Sequence, residues 1–246
     1  MKRQEFAQEK EKVKKNAYIT LIIDESGSMG SVKDATVSGI NEQIQQLKKD
    51  FGGDKRDEFN TFVSLIRFNA TPTSVFMYSD IDSLQEIAPK DYNPSGNTAM
   101  YDAVGYAINQ LKSRPDIEGE DTSSLIIVVS DGEENASKEF NPKSIADMVG
   151  ELNKTKRWTF TYLGANQDLS KVSEHTNISY GNTASFNSRT KGGVMRAFSM
   201  NASALHDYSM ELSRGVYASA NFYAGSELKE EDADGFGNPK GAKTLV

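Results

Sequence analysis

The loop Asp24-Glu25-Ser26-Gly27-Ser28 places one carboxylate and two hydroxyls at alternate positions. A second stretch, Ser95-Gly96-Asn97-Thr98, offers a further hydroxyl, and a third, Ser130-Asp131-Gly132, offers a second carboxylate. All of these are hard oxygen donors, and neither histidine nor cysteine joins them, which suits Mg²⁺ or Mn²⁺ rather than a softer metal. Mg²⁺ seeks about six oxygens near ~2.1 Å and keeps waters where few carboxylates surround it. A shell in which neutral hydroxyls dominate leaves such an ion electrophilic. An open position facing solvent then attracts an anionic oxygen, and the Asp or Glu side chain of another protein is the natural candidate. That chemistry is binding rather than turnover. Alone, a D-x-S-x-S pentapeptide reads equally well as a helix N-cap, because Asp and Ser commonly satisfy free N–H groups there. What separates the two readings is whether Thr98 and Asp131 are brought to the same place.

The elements around these residues predict that they are. Apolar runs rich in β-branched residues at 18–23, 62–66 and 125–129 read as buried parallel strands, and the aromatic run 158–163 reads as another. Between them lie helical stripes: Val37, Ile40, Ile44 and Leu47; Met100, Val104, Ile108 and Leu111; Ile145, Met148, Val149 and Leu152. Strands alternating with amphipathic helices imply right-handed crossovers and a sheet covered on both faces. The expected fold is therefore α/β, a doubly wound, mostly parallel open sheet. The segment 73–78, with Pro72 before it, predicts a short antiparallel edge strand, and a stripe from Val194 through Ala197, Phe198, Leu205 and Leu212 predicts a closing helix. Asp24 ends the first strand and Ser130-Asp131 ends the run 125–129. In an open parallel sheet the ligand crevice lies beyond the carboxyl ends of the strands, where strand order reverses.

With the residues placed this way, the sequence resembles the von Willebrand factor A (VWA) family. Its metal-ion-dependent adhesion site (MIDAS) combines D-x-S-x-S with a distant Thr and a distant Asp, and Asp24, Ser26, Ser28, Thr98 and Asp131 fill all five places. The resemblance covers residues 16–213 and is closest to compact, stand-alone bacterial and phage members, in which a strand-ending Gly-Ala-Asn-Gln, here Gly164-Ala165-Asn166-Gln167, precedes a further helix. It implies that Ser26, Ser28 and usually Thr98 hold the ion through hydroxyls, while Asp24 and Asp131 often act through water. It further implies an adaptor that grips an acidic residue of a protein partner, and association with MoxR-type AAA+ ATPases. The alternative is a structural subunit of a larger assembly such as a phage virion. Outside the family pattern lie a charged N-terminal arm, 1–15, and a C-terminal extension, 214–246, expected to order only against a partner.

Composition narrows the remaining classes. The net charge of −7 and pI near 5.0 come from interspersed charges without a basic stripe, which argues against nucleic acid as partner. The chain has no cysteine, so disulfides and thiolate metal sites are excluded. The start, MKRQEFAQEKEKVKK, lacks the apolar centre of a signal peptide, and no stretch approaches the ~20 apolar residues of a membrane span, so the expected location is cytoplasmic. Ser26-Gly27-Ser28-Met29-Gly30 lacks the first glycine of a nucleophile elbow, and His175 and His206 fall in helical segments; the expectation is a protein that is not an enzyme. In the tail, 237–244 fails as a phosphate loop and 232–235 does not continue into an EF-hand. Glu25, Glu133 and Glu134, beside the proposed site, are expected to be solvated loop acids.

Overall fold

The computed structural model describes residues 14–165 and 168–224. Most of the expected N-terminal arm, the tail motifs beyond 224, and Asn166-Gln167 of the Gly-Ala-Asn-Gln stretch lie outside the described residues. One six-stranded sheet runs in the order β3-β2-β1-β4-β5-β6, formed by β1 (Lys15–Asp24), β2 (Phe59–Phe68), β3 (Pro72–Asp80), β4 (Thr122–Ser130), β5 (Trp158–Ala165) and β6 (Thr183–Phe186). Every pairing is parallel except β2 with β3, as the proline-led segment predicts. A register irregularity and a positive φ of 52° at Tyr78 bend that edge strand, which discourages further pairing there.

Side chains alternate between two cores because strand residues point to opposite faces in turn. On β1, Ile19, Leu21 and Ile23 join Val63, Leu65, Leu125, Ile127 and Val129 beneath α1 (Lys33–Phe51) and α5 (Lys191–Ser213). Tyr18 and Ile22 face the other way, with Ile66, Ile126, Val128 and Phe160, beneath α2 (Met100–Lys112), α3 (Pro142–Lys154) and α4 (Leu169–Thr176). The stripes of α1 and α2 are buried as their spacing predicts; on α3, Ile145 and Val149 are buried while Met148 and Leu152 are partly so. Asn141 starts α3 by accepting the Ser144 N–H at 3.0 Å, with Pro142 at the first helical position.

The packed body continues past residue 213, where the sequence alone suggests an extension. Phe222 and Tyr223 are buried in the α1/α5 core. The Ser219 N–H donates to Thr159 Oγ1 at 2.9 Å and the Phe222 N–H to Asn182 Oδ1 at 2.8 Å. Residues 219–223 thus lie beside the first half of β5, which short β6 leaves uncovered, since β6 pairs only from Tyr162 onward. Among the described residues no helix is long and apolar enough to cross a membrane.

Candidate metal site

β1 leads through α1 to β2 on one side, while β4, its neighbour on the other side, leads through α3 to β5. Chain connections therefore diverge between the carboxyl ends of β1 and β4, and a crevice opens there. Asp24 is the last residue of β1 and Ser130 the last of β4.

Asp24 is fully buried and held at three points. The Ser26 N–H donates to its Oδ1 at 2.7 Å, the Ser130 hydroxyl donates to its Oδ2 at 2.6 Å, and the Tyr92 hydroxyl donates to its main-chain carbonyl at 2.5 Å. Ser26 Oγ lies 3.0 Å from Ser28 Oγ, and the Ser28 hydroxyl donates to Asp131 Oδ1 at 2.5 Å. Thr98 arrives from the third loop. A Cβ placed on Gly132 would come within 2.9 Å of Thr98 Oγ1 and 3.6 Å of Asp24 Oδ2, so Thr98, Asp24 and the backbone at Gly132 share one small cradle. All five residues read from the sequence converge: Asp24, Ser26 and Thr98 form a buried floor and Ser28 an exposed lip, with Asp131 between.

The loops are tied to one another more tightly than the sequence suggests. Gly27 N–H donates to Gly96 O at 3.1 Å, and Gly96 takes a φ of 73° that suits glycine. Thr98 N–H donates to Asn135 Oδ1 and Asn135 N–H to Thr98 O, each at 3.0 Å. Helix α2 has no side-chain cap of its own. The segment after β4 supplies it: Glu134 Oε2 accepts the Tyr101 N–H at 3.0 Å and Ser137 Oγ the Asp102 N–H at 3.1 Å. In return the Asp102 carboxylate accepts the N–H groups of Lys138, Glu139 and Phe140 at 2.8, 3.0 and 2.9 Å.

Two of the three neighbouring acids depart from expectation. Glu133 is exposed, as predicted. Glu134 caps α2 and is partly buried, because an acidic side chain is favoured at a helix N-terminus. Glu25 is buried: Arg67 Nη1 donates to it at 2.7 Å, the Asn93 N–H donates at 2.5 Å, and Arg67 also reaches the Asp91 carbonyl. The Arg67–Glu25 pair ties β2 and the loop before Thr98 to the back of the crevice. Sequence gives no signal for it, since an Arg on the neighbouring strand is not distinguishable from a solvated one.

Burial pushes the Asp24 carboxyl above its ordinary range, against the hydrogen bonds of Ser130 and Ser26, and the charge of Asp131 pushes the same way. Burial raises Asp131 as well, opposed by the Ser28 hydroxyl. Among the described residues no lysine or arginine acts on either carboxylate to lower it. Two partly desolvated carboxylates beside hydroxyl oxygens, without a positive side chain, fit a small divalent cation as the compensating charge. Among the described residues no group of three or more His, Cys, Asp or Glu is poised for a metal, so a cation here depends on the hydroxyls as much as on the acids. Both histidines sit in helices as expected: His175 Nδ1 is 3.5 Å from the Tyr101 hydroxyl, and His206 Nδ1 is 2.8 Å from Asp50 Oδ1.

Comparison with known proteins agrees with this architecture. A von Willebrand factor type A protein from Catenulispora acidiphila aligns with a TM-score of 0.53 at 15% identity, over 81% of this chain and 43% of that one. Proximal thread matrix protein 1 from the mussel byssus, in a structure with a zinc-occupied MIDAS motif, aligns with a TM-score of 0.53 at 15% identity, over 83% of this chain and 49% of that one. The vWF domain of the type V pili tip protein Mfa5 from Porphyromonas gingivalis aligns with a TM-score of 0.55 at 10% identity, over 83% and 97%. The chain thus spans less than half the length of the first two, and at these identities the likeness is one of fold. Curated proteins gave no match. The family model for the von Willebrand factor type A domain matches residues 19–197, most of the sheet and its helices, and the chain belongs to that family.

Proposed function

We propose that this chain is a metal-dependent protein-binding module whose crevice holds Mg²⁺ or Mn²⁺ and grips an Asp or Glu of a partner. The observation that carries this reading is the convergence of three hydroxyls and two carboxylates on one cradle with no positive side chain among the described residues to balance them. Ser26, Ser28 and Thr98 would hold the ion through hydroxyl oxygens, with Asp24 and Asp131 behind them. When bound, a divalent cation supplies an electrophilic coordination position that an anionic oxygen can fill. The chain's own groups prepare that position. Ser130 and the Ser26 N–H fix both oxygens of Asp24, the Asp131 carboxylate orients the Ser28 hydroxyl, and the buried floor leaves the Ser28 lip as the side open to a partner. The two histidines are bonded to Tyr101 and Asp50 rather than to the hydroxyls of the crevice, which supports binding rather than turnover. A MoxR-type AAA+ ATPase as the acidic partner belongs to this reading as the resemblance implies it, and a cytoplasmic location as the charged N-terminal stretch suggests it.

Titration calorimetry with Mg²⁺ and Mn²⁺ tests the site. One equivalent should bind the wild type and none the Asp24→Ala, Asp131→Ala double variant, with the far-ultraviolet circular dichroism retained because Asp24 ends β1 and Asp131 follows β4, outside both hydrophobic cores. Unchanged binding in the double variant overturns the assignment. Capture of partners from native lysate, a MoxR-type ATPase among them, should be lost in EDTA; partners retained equally in EDTA contradict the metal-dependent grip.

A further inference from the structure

Residues 92–99, which carry Thr98, form neither helix nor strand, so their course is set by the groups their backbone meets. Before Thr98 the 24–28 loop supplies those groups. The Asn93 N–H donates to Glu25 Oε1 at 2.5 Å, the Ser95 N–H donates to the Glu25 carbonyl at 2.8 Å, and the Gly27 N–H donates to Gly96 O at 3.1 Å. Glu25 thus holds this stretch twice, once through its side chain and once through its main chain. Asn135 meets Thr98 from the β4 side, whereas Glu25 and Gly27 tie the stretch to the loop that carries Ser26 and Ser28.

Glu25 is itself fixed from behind. Its side chain is 10% exposed, its N–H donates to Phe68 O at 2.6 Å, and Arg67 Nη1 donates to the same Oε1 at 2.7 Å. Arg67 also donates to the Asp91 carbonyl, so one guanidinium spans from Glu25 to the start of the stretch. The separation between Thr98 and the hydroxyls of Ser26 and Ser28 is thereby tied to the reach of one side chain. Cation size is what such a separation controls. Mg²⁺ takes about six oxygens near ~2.1 Å in a strict octahedral array, whereas Ca²⁺ takes about six to eight at roughly 2.3 to 2.6 Å in a looser one. A cradle whose sides are held close favours the smaller ion, and one whose sides can part admits the larger.

We infer that Glu25 is a positioning residue, which holds the Thr98 stretch against the 24–28 loop and so makes the crevice select a small divalent cation over Ca²⁺. The inference rests on the proposed metal site and adds to it a side chain that acts through the ligands instead of joining them.

Reach and charge are separable at this position. Glu25→Gln keeps an acceptor oxygen at the same reach without the charge, and Glu25→Asp keeps the charge facing Arg67 but is one methylene shorter. Binding of Mg²⁺ and of Ca²⁺ to the full chain and to each variant is measured by titration calorimetry, and protection of the Asn93 amide by hydrogen exchange without metal. A change of charge near the crevice acts on both divalent ions alike, so the ratio of the two affinities reports the geometry of the cradle. In Glu25→Asp the preference for Mg²⁺ should fall about tenfold, the scale of losing an outer partner of a metal ligand, and the Asn93 amide should lose protection. Asn93→Pro deletes the donated N–H, keeps the Arg67–Glu25 pair and follows a Tyr92 already extended at φ −130° and ψ 110°; it should lower the preference in the same way, and it serves where Glu25→Asp does not fold. Glu25→Gln should keep both preference and protection. Asn182→Ala, which loosens the chain beside Phe160 and away from the crevice, should keep the preference too, which separates positioning from a general loss of stability. A native preference in Glu25→Asp or Asn93→Pro overturns the inference, as does an equal loss in Glu25→Gln or Asn182→Ala. A wild type that binds Mg²⁺ no more tightly than Ca²⁺ overturns this inference and leaves the metal-site reading standing; a wild type that binds neither ion overturns both.

Discussion

Gly132 is the residue on which the geometry of the crevice turns. In Gly132→Ala the new methyl meets Thr98 Oγ1 at 2.9 Å with Asp24 Oδ2 at 3.6 Å, so the threonine hydroxyl must shift from its place in the cradle. Mg²⁺ affinity by calorimetry should fall about tenfold or more, the scale of losing one positioned oxygen, while the far-ultraviolet spectrum is retained; native affinity in this variant would place Thr98 outside the site. Behind the crevice, Glu25→Ala leaves the Arg67 guanidinium, 18% exposed, without its counter-charge. Urea denaturation should show a loss of about 2 to 4 kcal/mol, because an unbalanced, largely buried cation costs more than the pair contributed; a loss below about 1 kcal/mol would mean that Arg67 finds water. Asp24, Ser26, Ser28, Thr98 and Asp131 are legible in the sequence because each sits at the end of a recognisable strand or the start of a helix. The roles of Glu25 and Glu134 are not, because their partners, Arg67 and the Tyr101 N–H, lie 42 and 33 residues away. A sequence shows that a side chain is charged, but not which backbone or charge the fold sets against it.

Asn182 fastens the segment after α5 to the sheet. Its Nδ2 donates to Phe160 O at 3.1 Å and to Ser219 O at 2.8 Å, and its Oδ1 accepts the Phe222 N–H at 2.8 Å. Asn182→Ala should lower stability by about 2 to 3 kcal/mol, since truncation leaves buried backbone groups without partners. Hydrogen exchange should show the amide of Phe222 losing protection first; protection unchanged there would mean that the aromatic contacts of Phe222 and Tyr223 suffice. Long, periodic elements are the ones the sequence announces: β1, β4, the stripes of α1 and α2, and the proline-led edge strand β3. The four-residue β6 is too short to carry a period. Residues 215–224 offer only Phe222 and Tyr223 amid small and polar neighbours, so nothing in the pattern tells that this pair completes the core.

Taken whole, the molecule keeps several of its phenols out of water. Burial pushes Tyr18, Tyr208 and Tyr217 from 10.0 up to about 12, and Tyr92 and Tyr223 are raised as well. A phenol raised in the fold favours the protonated state. Its contribution is complete below pH 10, where the unfolded chain's tyrosines are also protonated, and is lost as the pH climbs from 10 to about 12. The urea midpoint should therefore fall steeply across that window. Tyr18→Phe should flatten the fall while lowering stability at pH 7, because it removes the hydroxyl that meets both oxygens of Asp116 at 2.8 and 2.7 Å. A midpoint that is level from pH 10 to 12 contradicts this account.

The pairing of α1 with α5 also sets a clock for biosynthesis. Gln43 of α1 donates to the carbonyl of Phe198, 155 residues later, and Lys15 at the start of β1 reaches Leu212 O, 197 residues later. At about 5 to 20 residues per second, the ribosome takes roughly 8 to 30 s to deliver Phe198 after Gln43. During that interval Ile19, Leu21, Val63 and Leu65 have no α5 to cover them. The nascent chain must leave the α5 side of that sheet face uncovered until residues 191–213 have been made, so its exposure to aggregation is governed by translation speed and by chaperones that shield the emerging chain.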